Sequence, residues 1–308
     1  MPTQSATADL SPNQLLPVGT KLGELHLAVT DADNALRFWS GILGLKVLGE
    51  ENGTYRLGAA NTAIVLHPGA SGPVAPRRTG LYHVALHIPT RRELARIIAR
   101  LFALRYPNSP TDHLVSETTY LSDPDGNGIE LTLETPERGE FVRLPGGRFG
   151  ARTTEGELRS GRDPVDLETL FKELAPDEDM NAPLHILGVH HVHLHVADLE
   201  ASRHFYRDLI GFRPQMDLTE MQMLDFGLDG SNPVHALALN TWSGAGAPPA
   251  PTGTAGLRRF TLELPSGAGV QAVVARLQDA NWSYDETPEG VSVLDPSGNR
   301  LDLRVAAA

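Results

Sequence analysis

Four histidines stand within nine residues in GVHHVHLHV (188–196), and two more stand in YHVALHI (82–88). Imidazole is the commonest metal ligand and the side chain that titrates nearest neutral pH, so the two clusters point to metal binding and proton transfer together. The 308 residues include no cysteine. Zinc thiolates, disulfides and cysteine nucleophiles are therefore excluded, and any metal must take nitrogen and oxygen ligands. Side chains of a strand alternate between its faces. In the first stretch Val192, Leu194 and Val196 make an apolar face, while His191, His193 and His195 make the other. His190 falls with the apolar set and reads as a strand-edge residue. In the second stretch Val84, Leu86 and Ile88 oppose His83, Ala85 and His87.

Repeats supply the elements that must position these groups. GELHLAVTDADNALRFWSGILGL (23–45) matches HHVHLHVADLEASRHFYRDLIGF (190–212): an alternating strand, an acidic cap, a helical pattern and a glycine stop. Asp31 and Asp198 sit where a helix N-cap belongs, and Gly44 and Gly211 where a helix ends. Fainter copies lie at 81–104 and 258–280. LSDPDGNGIELTL (121–133) matches VLDPSGNRLDLRV (293–305), each a tight turn between strands. Four units of strand, helix and further strands follow, at 17–70, 78–135, 184–243 and 255–305. The place held by His83 and His191 is held by Glu24 in unit 1 and by Arg259 in unit 4.

Four βαβββ units carrying DPDGNGIEL and HHVHLHVADL resemble the vicinal oxygen chelate superfamily. That superfamily holds glyoxalase I, bleomycin-resistance proteins and extradiol ring-cleaving dioxygenases. With GLYHVALHIPT, DHLVSETTYLSDPDGNGIEL and HALALNTW, the pattern is most similar to the bacterial catechol 2,3-dioxygenase group. The resemblance implies an α+β fold of four βαβββ modules whose curved sheets form half-barrels around a metal cavity. It implies a metal ligand at Glu130, beside His83 and His191, and an active-site tyrosine at Tyr120, ten residues earlier. It implies Fe(II), with Mn(II) or another divalent ion as the alternative. The substrates implied are O₂ and catechol or a substituted catechol, a small aromatic diol. The family's catalytic histidine would fall at Thr111; His113, on the same strand face, is the expected substitute, with His193 and His195 as others. His235, 44 residues after His191, is either a fourth metal ligand, as in a glyoxalase I-like isomerase, or a proton-transfer group beside the metal. A binding protein of the antibiotic-resistance type, using the same cavity without catalysis, is a further alternative.

Units 2 and 3 own His83, Glu130, His191 and His235, whereas units 1 and 4 own Glu24, Arg259 and Asp302. An arginine in the ligand place repels a cation. The expectation is one metal site where unit 2 meets unit 3, with units 1 and 4 a metal-free partner; the alternative pairing, 1 with 2 and 3 with 4, would split the ligands into Glu24, His83 and Glu130 and into His191, His235 and Asp302. By position in the chain the expected regions are a flexible tail (1–16), a domain of units 1 and 2 (17–135), a connector (136–183) and a domain of units 3 and 4 (184–308). Within the connector, 163–174 reads as a helix packed across the two halves. His26, His67, His185 and His204 read as core or surface histidines.

A net charge of −12 without a basic cluster argues against nucleic acid. No apolar run reaches the roughly 20 residues of a membrane span, and the polar N-terminal stretch lacks the pattern of a signal peptide. A cytoplasmic location is the default expectation, and exposed sheet edges make a homodimer plausible.

Overall fold

Alternating strands and capped helices recur four times in the computed structural model, which describes residues 14–144, 148–228 and 235–306. Unit 1 comprises β1 (Lys21–Val29), α1 (Ala32–Leu36), β2 (Lys46–Glu51), β3 (Thr54–Gly58) and β4 (Thr62–Pro68). Unit 2 comprises β5 (Gly80–His87), α2 (Arg91–Ala103), β6 (Ser109–Asp112), β7 (Ser116–Ser122) and β8 (Gly128–Glu134). The intervening segment contributes β9 (Gly139–Arg143), β10 (Phe149–Thr153), β11 (Leu158–Arg159), β12 (Asp163–Pro164) and the short α3 (Leu167–Phe171). Unit 3 holds β13 (Val189–His195), α4 (Leu199–Arg203), β14 (Arg213–Leu218), β15 (Met223–Gly227) and β16 (Leu237–Asn240). Unit 4 holds β17 (Gly256–Leu264), α5 (Gly267–Asp279), β18 (Tyr284–Thr287), β19 (Gly290–Leu294) and β20 (Arg300–Val305).

Asp31 and Asp198 cap α1 and α4 by accepting from the amides of Asn34 and Ala201. Both helices continue as wide π turns, Arg37–Ile42 and His204–Ile210, and Gly44 and Gly211 follow with φ of 88° and 102°. Leu16, at the end of the stretch read as a tail, is buried and donates its amide to the Gly211 carbonyl. Residues 1–13 of that stretch lie outside the described residues.

The sheets cut across the division by sequence halves. One sheet runs β18-β19-β20-β17-β1-β4-β3-β2, joining units 4 and 1; the other runs β12-β6-β7-β8-β5-β13-β16-β15-β14, joining units 2 and 3. In the second, β5 lies antiparallel to β13, with His83 opposite His193 and Ala85 opposite His191. Alternation along these strands sends Val84, Leu86, Val192 and Leu194 into the apolar core under the helices. It leaves the histidines on the concave face.

The connector is built into the second sheet, since β12 pairs with β6. Only Leu167–Phe171 of the stretch 163–174 is helical. It packs on α2, Phe171 against Phe102 at 6.2 Å.

The paired DPxGN turns lock the units together. Asp123 accepts from the amides of Asp125 and Asn127 and from the Asn127 side chain, and Trp39 Nε1 of unit 1 donates to it at 3.3 Å. Asp295 serves the same three donors of its own turn, and Tyr206 of unit 3 donates its hydroxyl at 3.0 Å. Two residues later the pattern repeats: Asp125 accepts from Thr30, and the Ser297 hydroxyl accepts from the Ala197 amide.

The concave face of the first sheet is filled by ion pairs. Glu24 binds Arg56 at 2.9 Å and His26 at 3.0 Å, and Arg259 binds Asp302 at 2.8 Å. His26 Nδ1 meets His67 Nε2 at 2.8 Å. Glu24 of unit 1 and Arg259 of unit 4 stand there where units 2 and 3 carry His83 and His191.

Replacing Asp123 or Asp295 with Ala strands a buried aromatic donor and three turn donors. Each substitution is expected to cost about 2–4 kcal/mol in urea unfolding, more than Tyr206→Phe. A second expectation concerns acid. Burial, aided by Arg258, His26 and other neighbouring cations, lowers His67 from 6.5 to about 4. Burial would raise Glu24, but His26, Arg304 and Arg56 hold it at about 2 against an ordinary 4.5. Both native values lie below the unfolded ones, so the unfolded chain takes up protons first. Stability is full above about pH 6.5, falls towards pH 4 through His67, and falls further towards pH 2 through Glu24. Urea midpoints followed against pH should show the upper limb flattened in His67→Asn; an unchanged slope would refute the assignment.

Candidate active site

Strand pairing brings three groups to one point on the concave face of the second sheet. His83 Nε2 and His191 Nε2 are 3.0 Å apart, and each lies 3.1 Å from Glu130 Oε2. All three residues are buried. They converge because β5 pairs antiparallel with β13 and parallel with β8, which sets Ala85 beside both His191 and Glu130. Ligands at right angles around an ion about 2.1 Å from each lie about 3.0 Å apart, so the spacing suits one face of an octahedral divalent site. Two imidazole nitrogens and a carboxylate oxygen so close together are reconciled only by a shared cation or by protons. Burial would raise the Glu130 carboxyl, but His191 and His83 outweigh it and hold it well below the usual carboxylate range. Burial lowers His191 to about 4 despite Glu130.

A relay behind His191 sets its tautomer. His190 Nε2 lies 3.1 Å from Glu134 Oε1, and its Nδ1 lies 2.8 Å from His191 Nδ1. The Glu134 carboxylate only accepts, so His190 donates through Nε2 and accepts at Nδ1. His191 then donates from Nδ1, which leaves the lone pair of its Nε2 facing Glu130 and His83. The neighbours His190 and His191 reach one cluster because β13 skips a residue against β5: Val189 pairs with Leu86, and His191 with Ala85. This bulge overturns the reading of His190 as a residue of the apolar face. A doubled histidine in an alternating strand was the available signal for it. Nothing in the spacing pointed to Glu134.

Tyr120 stands across β7–β8 from Glu130. Its hydroxyl donates to His113 Nε2 at 2.9 Å, while His113 Nδ1 donates to the Gly161 carbonyl at 2.6 Å. The connector thus holds His113 in the tautomer that accepts from Tyr120. Burial and the Glu130 charge push the Tyr120 hydroxyl well above its ordinary range, so it stays protonated. Thr111 lines the same cavity.

His235 lies just before β16, its ring 4.1 Å from that of His191 and its Nδ1 3.8 Å from Asp225. It is not one of the three converging donors. The strand register explains why. Glu130 is 47 residues after His83, and the residue 47 after His191 is Ala238, paired with His193 as Glu130 is paired with Ala85. His193 is buried, accepts from Asn240 Nδ2 at 2.8 Å and packs edge-on against His83. His195 donates to Asn240 Oδ1 at 2.7 Å and faces an outer cleft with Arg77 and Arg258 instead of the triad cavity. Asn240 thereby holds both rings, a role without a motif.

The triad opens into a cavity of about 330 Å³ walled by Phe141, Phe149, Met216, Leu218, Met223 and Trp242. Phe141, Phe149 and Arg162 come from the connector, which closes one side. Small-molecule sites have this character: an apolar wall with a few convergent polar groups.

The family model described as the Glyoxalase/Bleomycin resistance protein/Dioxygenase superfamily matches residues 21–131 and 188–303. A catechol-2,3-dioxygenase of Bacillus subtilis (strain 168) is 34% identical over 281 residues, covering 90% of this chain and 94% of that protein. Among solved structures, a candidate dioxygenase from Bacillus subtilis superposes with a TM-score of 0.61 at 13% identity, covering 93% of this chain and 85% of that one. Glyoxalase I from Zea mays superposes with a TM-score of 0.55 at 16% identity, covering 93% of each chain. At those identities the two structures speak for the fold alone: an α+β arrangement of two large mixed sheets with helices, the vicinal oxygen chelate fold. A family match across most of both halves, joined to a relative of that identity along nearly the whole length, establishes that the chain belongs to the glyoxalase/bleomycin resistance protein/dioxygenase superfamily.

Proposed function

We propose that the protein is an extradiol ring-cleaving dioxygenase that opens catechol or a substituted catechol with O₂, using Fe(II) held by His83, Glu130 and His191. The observation that carries this reading is the triangle of three buried donor atoms 3.0–3.1 Å apart, with the Tyr120–His113 pair beside it. The Bacillus subtilis relative, a catechol-2,3-dioxygenase, supports the reaction class.

Two histidines and one carboxylate on one face leave positions for both diol oxygens and for O₂, and a ferrous ion there would acidify the diol and bring it together with O₂. The chain's own residues do the rest. Glu134 and His190 keep the His191 Nε2 lone pair turned to the ion, since outer partners of this kind orient a ligating imidazole. Tyr120, protonated and donating to His113, takes up a hydrogen bond or proton at its oxygen and passes its own proton to His113 Nε2. His235 stands beside the site as a second proton-transfer group. The phenylalanine, methionine and tryptophan wall excludes water from the ring. His235 stands outside the three converging donors, so the fourth ligand of the isomerase-like arrangement is missing, which favours the ring-cleaving reading.

Anaerobic loading with Fe(II), then catechol and air, is expected to yield the coloured ring-fission product; no colour would defeat the proposal. One Fe(II) or Mn(II) per chain is expected, lost entirely in His83→Ala and equally in His191→Ala. Half the metal remaining in each variant would mean two sites. Tyr120→Phe should retain full metal content and lose roughly 10²-fold in kcat. Glu134→Gln should weaken metal binding about 10–100-fold in a chelator competition.

A further inference from the structure

Asp225 is buried, 2% exposed, and lines the triad cavity, yet neither carboxyl oxygen has a hydrogen-bonding partner among the described residues. Its strand explains the direction it takes. Along β15, Leu224 and Phe226 enter the apolar core, so Met223 and Asp225 face the cavity. His235 Nδ1 lies 3.8 Å from Asp225 Oδ1, too far for a hydrogen bond. Burial pushes the Asp225 carboxyl well above its usual range.

A buried carboxyl without a partner is costly, and the apolar part of the cavity wall, which includes Met216, Leu218, Met223 and Trp242, gives no structural reason for one. Its position gives a functional reason. Tyr120 stands across its sheet from Glu130, and Asp225 stands in the matching place of unit 3, across from Ala238. The two residues therefore flank the triad from opposite sides.

We infer that Asp225 is the specificity-determining residue of this cavity, hydrogen-bonding a hydroxyl or amino substituent carried by the aromatic diol. The inference rests on the reading of the cavity as a diol site and deepens it, since it names the substituent class. Sites built around a buried polar group reject analogues that leave it unpaired far more strongly than apolar pockets reject an extra methyl.

The test uses two pairs of probes of nearly equal size, 3-hydroxycatechol against 3-methylcatechol and 4-hydroxycatechol against 4-methylcatechol. Binding to the metal-loaded protein is measured anaerobically by tryptophan fluorescence, and turnover of each is measured in air. In one of the pairs the native protein should bind the hydroxyl member at least tenfold more tightly. Asp225→Leu should abolish or invert that ratio, and Asp225→Asn should reduce it. Asp225→Leu should also raise the melting temperature, because an unpaired carboxyl leaves the core; a residue that merely holds its strand would lower it. A native ratio near one in both pairs, or a ratio unmoved by Asp225→Leu, overturns the inference while catechol cleavage still stands. If catechol neither binds nor is cleaved, the diol reading itself fails and takes the inference with it.

Discussion

The antiparallel pairing of β5 with β13 is the contact on which the rest of the structure depends. Side chains on one face of such a pair come within about 5 Å of their cross-strand neighbours. His83, His191 and His193 therefore share one patch of the concave surface. The parallel neighbour β8 then needs only one carboxylate, Glu130, to complete a three-donor cluster. A slip of one residue in β13 would turn its histidines into the apolar core and its valines and leucine into the cavity. Burial of Val192, Leu194 and Leu86 beneath the helices guards against that slip, so the packing energy of the core sets the geometry of the site.

The same fold solves its electrostatic problem in two ways. In the sheet of units 1 and 4, Glu24 and Asp302 are balanced by Arg56, Arg304 and Arg259 from neighbouring strands. In the sheet of units 2 and 3, the matching surface carries imidazoles around Glu130, and charge balance waits for a cation. Arginine is permanently charged, whereas buried imidazole is neutral and offers a lone pair. That single difference in residue type divides a self-sufficient interior from one that calls for a ligand.

Much of this was legible in the residues. Repeated caps, glycine stops and DPxGN turns mark four units, and strand alternation places His83 and His191 on one face. Glu130 and Tyr120 followed from family spacing, and His113 from its parity with Thr111. Three parts were not legible. A bulge has no composition signature, so His190 was assigned to the wrong face. His235 lies three residues short of the register position that Ala238 holds, and counting residues through a loop does not reveal that offset. The connector carries few apolar residues and reads as a tether, yet Gly161 fixes His113 through a backbone carbonyl, an atom every residue shares.

Each half of the chain lends one unit to each sheet. Two separate and identical half-chains laid head to tail could make the same contacts, but their symmetry would oblige every position to appear twice. A ligand carboxylate would then stand on both sides of the cluster or on neither. Covalent fusion through the connector releases that obligation. Glu130 can persist while its counterpart shrinks to Ala238, and Tyr120 can face Asp225 across the cavity. An unsymmetrical molecule held there meets different chemistry at each end, which a cavity assembled from twin chains could not offer.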